Sequence, residues 1–156
     1  MKIRKGKEED LPSVLKLINL LAEYENSKEE VSIKLEELKR DGFGKNPLFK
    51  FLIAEIKGEI VGLSLYFIRY STWKGKVLYL EDFVIKKEYR KLGIGSKLFK
   101  ETIKICHELE LNGMSWQVLD WNNLAIEFYE KFNSTIQDGW LNGSLTKNQI
   151  QNFMKK

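Results

Sequence analysis

Residues 78–96 read LYLEDFVIKKEYRKLGIGS and carry most of the information in this chain. The first eight are apolar and aromatic enough to predict a buried strand, whereas apolar residues at helical spacing follow Gly95. Between strand and helix lie a basic segment and two closely spaced glycines, Gly93 and Gly95. A strand that leads through such a loop into a helix presents unpaired backbone N–H groups and the positive end of the helix dipole. The stretch therefore predicts a site for a phosphate or diphosphate group.

The glycine spacing rules out two common nucleotide motifs and leaves two interpretations open. The third glycine of a dinucleotide fingerprint is missing, and so is the Gly-Lys-Ser/Thr of a P-loop. A helix cap with surface cations accounts for the spacing as well as an anion site does. In an anion site the glycines would let the backbone approach the ligand, where a Cβ atom would collide, and Arg90 and Lys91 would add charge.

Three strands are predicted in succession before the basic turn. They cover Phe49–Ile56, Ile60–Tyr70 and Val77–Ile85, and short segments at Lys57–Glu59 and Trp73–Lys76 separate them. Turns of this length join neighbouring antiparallel strands, so we expect an antiparallel meander.

The remaining segments predict helices around this sheet. A strand at Lys2–Lys5 precedes a helix that opens at Asp10 as its N-cap, and a second helix is expected over Lys28–Lys39. After the turn the pattern predicts, in order, a helix to about Leu111, a buried strand at Met114–Leu119, a helix at Asn123–Phe132, a strand and turn at Ser134–Leu145, and a short helix capped by Thr146. The order β-α-α-β-β-β-α-β-α-β, followed by the short helix, predicts a mixed α/β fold in one domain over residues 1–156.

Composition narrows the class of function. The chain has 156 residues, 43% of them hydrophobic, with a net charge of +4. No apolar run approaches the ~20 residues that span a bilayer, so we expect a cytoplasmic protein without a membrane partner. Cys106 is the only cysteine and His107 the only histidine, so we expect neither a disulfide nor a metal. The basic residues are interleaved with acidic ones, which argues against nucleic acid and leaves a compact polyphosphate ligand open.

The segment Arg90–Gly95 resembles the R-x-x-G-x-G/A diphosphate motif of the GCN5-related N-acetyltransferases. Further motifs in the same order are similar to the diamine (spermidine/spermine) N-acetyltransferases, a group that also includes thialysine acetyltransferases: Tyr24-Glu25, Asp41-Gly42-Phe43-Gly44, Tyr79-Leu80-Glu81-Asp82-Phe83, Gly93-Ile94-Gly95-Ser96, Trp121-Asn122 and Phe128-Tyr129. The resemblance covers nearly the whole chain. It implies an acyltransferase fold and acetyl-coenzyme A as the co-substrate.

The resemblance assigns the coenzyme contacts to three segments. A β-bulge near Phe83–Ile85 would splay the strand so that an amide can polarise the thioester carbonyl. The expected coenzyme-binding residues are Phe83, Val84, Ile85, Arg90, Lys91, Leu92, Gly93, Ile94, Gly95, Ser96, Asn122, Asn123, Leu124 and Ala125. Asn133 stands where the family often has glycine, so the asparagine is expected to take the left-handed conformation of that turn.

The resemblance also assigns an amine site and a proton donor. The substrate-binding residues would be Tyr24, Glu25, Glu81, Asp82 and Asp138, with Glu81 also catalytic, and Tyr129 would protonate the departing thiolate. On spacing alone, a packed core role is favoured for Tyr129, and only the resemblance favours the proton donor. Glu81 and Asp82 are neighbours on a strand, so alternation alone would direct only one of them to the amine.

The expected activity is transfer of an acetyl group from acetyl-coenzyme A to a primary amine of a diamine or polyamine such as spermidine or spermine. Another amine (a thialysine or lysine analogue, an antibiotic, a protein N-terminus) and a coenzyme-binding module without turnover stay open. The resembling enzymes are dimers, so we expect a homodimer, with the segments around Trp140 and Phe153 as candidate contact surfaces. The physiological amine cannot be read from the sequence.

Overall fold

The computed structural model describes residues 1–155, and within them five strands and five α-helices form. The strands are β1 (Lys2–Lys5), β2 (Lys50–Ile56), β3 (Glu59–Ser71), β4 (Gly75–Ile85) and β5 (Met114–Ser115). The helices are α1 (Leu11–Tyr24), α2 (Leu35–Phe43), α3 (Ile94–Glu108), α4 (Asn123–Glu130) and α5 (Lys147–Phe153). Short 3-10 turns occupy Glu8–Asp10, Lys28–Glu30 and Lys87–Tyr89.

The strands form one sheet in the order β1-β2-β3-β4-β5. The first four run antiparallel to their neighbours, as the short turns predicted, and β5 runs parallel to β4 after the long crossover through α3. Lys57 and Gly58 both have positive φ, which is the geometry of the tight hairpin turn between β2 and β3. The predicted mixed α/β fold is confirmed.

The two faces of the sheet are covered by different helices because side chains alternate along each strand. On one face, α1 and α2 enclose an apolar core with the residues Leu11, Val14, Leu17, Leu38, Phe51, Ile53, Leu63, Leu65 and Val84. On the other face Ser64 meets Thr102 of α3, with their hydroxyl oxygens 2.7 Å apart, and Thr102 also donates to the Leu98 carbonyl at 3.0 Å. This fully buried polar pair fixes α3 against the sheet.

Asp10 stands at the predicted start of α1, but its side chain does not cap that helix. Its carboxylate accepts two hydrogen bonds from the Arg4 guanidinium at 2.7 and 2.9 Å and one from the Lys7 N–H at 2.8 Å. The Arg4 bonds lower the pKa of Asp10 even though burial works against ionisation. The acid therefore joins β1 to the start of α1, and it does so through charge rather than through a helix cap.

Three element predictions need correction. The second helix begins at Leu35, not Lys28, because only a 3-10 turn forms at the earlier position and Val31 is extended. The strand predicted over Met114–Leu119 is limited to Met114–Ser115. No strand forms at Ser134–Leu145 within the described residues. That segment exposes its large apolar side chains, so no burial or neighbouring strand compensates an extended backbone.

The chain forms two compact units. Residues 1–117 contain the whole sheet with α1, α2 and α3, and the unit that begins at Val118 contains α4 and α5. Within residues 1–155, no helix combines the length and the apolarity needed to cross a bilayer.

Candidate active site

The turn that leads into α3, residues 90–96, has the backbone of an anion site. Lys91 and Gly93 adopt left-handed conformations, with φ of +63° and +77°. The helical ladder of α3 starts with the hydrogen bond from the Lys97 N–H to the Gly93 carbonyl at 3.1 Å, so the amides of residues 94–96 precede it. Amides gathered by such a turn at a helix N-terminus form a concave donor set for an anion.

Gly93 is needed by the backbone of this turn rather than by the packing of the protein around it. A Cβ atom built at this position would meet no protein atom within 4 Å. The φ of +77° is nevertheless one that L-residues with a Cβ rarely adopt. The space beside Gly93 is therefore open on the protein side.

A charged tether holds the segment that leads into the turn. Glu59, at the start of β3, accepts hydrogen bonds from the Lys86 ammonium at 2.5 Å and from the Tyr89 hydroxyl at 2.8 Å. The Lys86 N–H donates to the Val61 carbonyl at 2.9 Å. Lys86 and then Tyr89 lower the pKa of Glu59, so its carboxylate stays ionised in the tether. No sequence signal pointed to this group, since its members lie about thirty residues apart and only the hairpin brings them together.

Arg90 opens the turn, and its side chain is already engaged within the protein. Its Nε donates to the Ile85 carbonyl at 3.0 Å, and its guanidinium carbon lies 5.1 Å from the centre of the Tyr24 ring. Tyr24 is the last residue of α1, so this stacking joins the first residue of the anion turn to the end of another helix.

Strand β4 contains a bulge immediately before the turn. Tyr66 pairs with Leu80 and Leu65 pairs with Asp82, so Glu81 is the extra residue on β4. The expected bulge thus lies two residues before Phe83–Ile85. Pairing between β4 and β5 ends at Tyr79, within the described residues, so the strand beyond it has a neighbour on one side only. A strand in this position can accommodate the added twist of a bulge.

Regular alternation along β4 would place the side chains of Glu81 and Asp82 on opposite faces of the sheet, and the bulge interrupts that alternation. Glu81 is exposed, whereas Asp82 is largely buried and its pKa is raised to about 6. Burial is the main cause, and the negative charges of Glu81 and Glu25 add to it. Burial also raises the pKa of Glu25, which follows α1. The fold of residues 1–117 therefore brings Glu25 and Glu81, two predicted substrate residues, within electrostatic reach of a third, Asp82.

The side chains of the next three β4 residues pack into the protein and leave mainly their backbone for a ligand. Phe83 contacts Phe99 of α3 edge-on with ring centres 5.6 Å apart, and Phe99 contacts Trp116 in the same way at 5.6 Å. Val84 belongs to the core under α1 and α2, and Ile85 is buried. Contact of these residues with the coenzyme through their amides stays a prediction.

In the unit that begins at Val118, Asn122 caps helix α4. Its side-chain oxygen accepts from the Ala125 N–H at 3.2 Å, and the Asn123 N–H donates to the Trp121 carbonyl at 2.9 Å. Asn122 is buried, whereas the side chains of Asn123 and Leu124 are exposed. Asparagine is among the preferred N-cap residues, so this role could have been read from the sequence.

Tyr129 lies on α4 and is 6% exposed. Its ring packs edge-on against Phe128 with centres 5.3 Å apart. Asn133 has a φ of +58°, so the predicted left-handed asparagine at the end of this helix is confirmed. Asp138 lies in an exposed segment outside the helices of this unit. Among residues 1–155, His, Cys, Asp and Glu side chains nowhere form a group of three that could hold a metal ion.

The chain is similar to a known protein family and to individual proteins of known activity. Residues 14–133 match the Acetyltransferase (GNAT) family. The chain is 42% identical over 149 residues to a thialysine N-epsilon-acetyltransferase of Bos taurus, with 88% of each chain covered. It is 37% identical over 148 residues to the spermidine/spermine N(1)-acetyltransferase-like protein 1 of Homo sapiens, which covers 88% of this chain and 21% of that one.

Solved structures support the same fold. An aminoglycoside acetyltransferase from an uncultured soil metagenomic sample superposes with a TM-score of 0.77 at 22% identity, covering 93% of this chain and 95% of the other. An integron cassette protein from Vibrio cholerae superposes with a TM-score of 0.78 at 17% identity, covering 99% and 98%. At these identities the likeness concerns the fold alone.

Proposed function

The chain belongs to the acetyltransferase (GNAT) family, whose members transfer an acetyl group from acetyl-coenzyme A to an amine, and on that premise we propose that it acetylates a terminal primary amine of a small aliphatic substrate that carries further positive charge. Spermidine and spermine are substrates of this kind. The diphosphate of the coenzyme would be bound by the amides of the 90–96 turn.

The observation that carries this proposal is the grouping of Glu25, Glu81 and Asp82 in a protein of net charge +4. Burial is the main cause of the raised pKa of Asp82, and the negative charges of Glu81 and Glu25 raise it further. A ligand with two or more ammonium groups would relieve the repulsion between the carboxylates, and their negative charge would hold the ligand. Two members of the group, Glu81 and Asp82, lie on β4, the strand that leads into the anion turn, which supports a shared reaction site.

The same carboxylates supply a route for the proton. An alkylamine has an ordinary pKa of ~10.4, so it arrives as an ammonium ion, and only its neutral form attacks a thioester. Of the three acids, Asp82 is the one whose pKa is raised to about 6, close to the range of an effective general base. Glu81, predicted as catalytic from the resemblance, lies next to it in the chain and would help to hold the amine.

The nitrogen would then attack the thioester carbonyl, and the bond to sulfur would break with a proton passing to the thiolate. Tyr129 is the proposed donor of that proton, as the resemblance implied. A phenol hydroxyl within hydrogen-bond reach of the sulfur can act as a general acid. Its low exposure supports this role because water competes less for the hydroxyl in a buried position.

Thialysine is the second candidate substrate, and the 42% identity to a thialysine N-epsilon-acetyltransferase favours it. It shares with the polyamines a terminal amine on a flexible chain but also carries a carboxylate. That carboxylate would be repelled by an acidic group of three, whereas every charge of a polyamine would be attracted. The two substrates are therefore separable by charge.

A thiol-release assay with acetyl-coenzyme A tests the proposal across spermidine, spermine, putrescine, thialysine and a peptide. We expect release with at least one of the small amines, and the peptide to be poor. Glu81→Gln should raise KM for that amine, with Glu36→Gln on α2 as the matched control. Binding of coenzyme without release for any amine would establish a module without turnover, and an unaffected KM in Glu81→Gln would contradict the acidic site.

Three further expectations accompany this proposal. A homodimer is proposed from the resemblance, and a cytoplasmic location from the cysteine content and the short apolar runs. Nucleic acid is not a proposed partner, because the basic residues are interleaved with acidic ones.

A further inference from the structure

Arg90 joins two parts of the proposed site that the sequence keeps far apart. Its backbone N–H donates to the Lys87 carbonyl at 3.2 Å, and its Nε donates to the Ile85 carbonyl at 3.0 Å. The guanidinium lies over the Tyr24 ring, 5.1 Å from its centre. One residue thus contacts the end of β4, the 3-10 turn before the anion turn, and the end of α1.

Each of these contacts limits how the others can move. The Lys87 and Ile85 carbonyls fix both the backbone and the side chain of Arg90, so the start of the 90–96 turn and the guanidinium form one piece. A cation over an aromatic face is held by electrostatics that weaken quickly when the ring moves away. A shift of the turn therefore shifts Tyr24, and with it Glu25, the next residue in the chain.

We infer that Arg90 is a positioning residue that couples coenzyme binding at the 90–96 turn to amine binding beside Tyr24 and Glu25. The inference rests on the proposed function and adds a role to the diphosphate contact that the resemblance assigns to Arg90. Ordering of the turn by the coenzyme holds Tyr24 in place, and by linkage an amine bound beside Tyr24 favours the ordered turn. Each ligand strengthens the binding of the other.

The charged tether at Glu59 explains why the coupling is directed toward Tyr24. Lys86 and Tyr89 are already bound to the β2–β3 hairpin through Glu59, so the segment before the turn is fixed on that side. The stacking of Arg90 on Tyr24 is the contact that connects it to a helix end instead of to the sheet. A helix end adjusts more readily than a hydrogen-bonded hairpin.

A double-mutant cycle on the full chain tests this inference, with acetyl-coenzyme A affinity measured by calorimetry. Tyr24→Leu removes the aromatic face and should weaken coenzyme binding about 3- to 10-fold although Tyr24 lies on α1, a change within the range of such contacts. Tyr24→Phe keeps the face and should stay within about 2-fold. Arg90→Gln should weaken binding as well, and the double variant should be no weaker than Arg90→Gln alone.

A truncated donor separates coupling from direct phosphate contact. S-acetylpantetheine lacks the diphosphate, so a residue that only binds phosphate has no effect on its use. Coupling predicts that Arg90→Gln raises KM for the amine with this donor too, by about 3-fold or more. Arg69→Gln is the matched control for coenzyme affinity, because Arg69 lies over the Tyr79 ring at 5.3 Å, away from the anion turn, and it should change that affinity by no more than about 2-fold.

Additive losses in the cycle, or unchanged coenzyme affinity in Tyr24→Leu, would overturn the coupling. The coupling would also be overturned if Arg90→Gln left the KM for the amine unchanged when S-acetylpantetheine is the acetyl donor. Failure of the proposed function looks different, since the unmodified chain would then release no thiol with any amine, whether or not it binds acetyl-coenzyme A.

Discussion

Asp82 shows how one carboxylate acquires a functional environment at a cost in stability. Its pKa rises from 3.8 to about 6 on folding, so the folded chain keeps a proton between those pH values that the unfolded chain loses. The unfolded state therefore gains stability relative to the folded state as pH rises through this window. The penalty is absent below about pH 4 and complete above about pH 6. A ligand that brings positive charge would remove it.

Asp82→Asn should accordingly stabilise the unliganded protein at pH 7.5 by on the order of 1–3 kcal/mol, because the amide cannot ionise. The same variant should differ little from the parent near pH 4. Urea unfolding at the two pH values measures this difference. The variant should also lose the acidic limb near pH 6 in the pH profile of kcat/KM. Equal stabilisation at both pH values would mean that the substitution acts through packing and not through charge.

Tyr129 permits a test that separates catalysis from packing. Tyr129→Phe removes only the hydroxyl, so kcat should fall by roughly 100-fold or more if the phenol protonates the thiolate. The loss should be smaller for a thioester whose thiol is more acidic, because that sulfur needs less help in leaving. Phe128→Leu, which alters the ring contact of Tyr129 but keeps its hydroxyl, is the comparison. An unchanged kcat would show that Tyr129 packs in the core and does not donate the proton.

The anion turn, residues 90–96, depends on three elements that act together: the end of a strand, a 3-10 turn and the start of a helix. Its two left-handed residues, Lys91 and Gly93, curve the backbone so that successive amides converge. The Glu59 tether fixes the segment before it, and Arg90 connects it to α1. The turn is thus held in shape by contacts outside its own sequence.

Gly93→Ala should weaken acetyl-coenzyme A binding at least several-fold, because a Cβ at a φ of +77° costs about 1–2 kcal/mol and shifts the amides out of alignment. Gly139→Ala is the matched control, since Gly139 also has positive φ and open space around its Cβ position. It should carry a similar conformational strain without loss of coenzyme affinity. Calorimetry with coenzyme A compares the two. If the two variants bound the coenzyme with equal affinity, the amides of this turn would not be part of the binding site.

At the scale of the whole molecule, the second unit carries an unusual amount of exposed apolar surface. Trp140 is 83% exposed, Leu141 97% and Phe153 75%. Side chains of this size are seldom left in water in such number unless a partner covers them. We propose this surface as the contact of the homodimer expected from the resemblance.

Light scattering should therefore give a mass of twice the 18.3 kDa of one chain. Leu141→Ser combined with Phe153→Ser should shift the protein toward the monomer, because both changes remove apolar area from the proposed contact. Trp73→Ser is the control, since Trp73 is equally exposed, at 86%, but lies in the first unit. A mass of 18.3 kDa for the unmodified chain would exclude the dimer.

Local patterns in the amino-acid sequence were sufficient for the fold class and for the anion turn. Alternation in β2, β3 and β4, the short turns between them and Gly93 before α3 all act within a few residues, where steric rules dominate. The left-handed Asn133, in contrast, was expected from the family resemblance, which places a glycine at that position. Patterns failed where no partner compensated the local preference, as at Ser134–Leu145, or where the chain became extended after a single 3-10 turn, as at Val31. The single domain over residues 1–156 stays a prediction, which one cooperative unfolding transition would support.

Local sequence patterns could not predict which distant residues the fold brings together. The bulge at Glu81, the raised pKa of Asp82, the tether at Glu59 and the stacking of Arg90 on Tyr24 each depend on residues that are distant in the chain. Burial and charge–charge distance control them, and both arise only after the sheet has assembled. Tertiary structure therefore turned a list of acidic, aromatic and basic residues into an ordered site, because electrostatic energies depend on separation in space and not on separation in sequence.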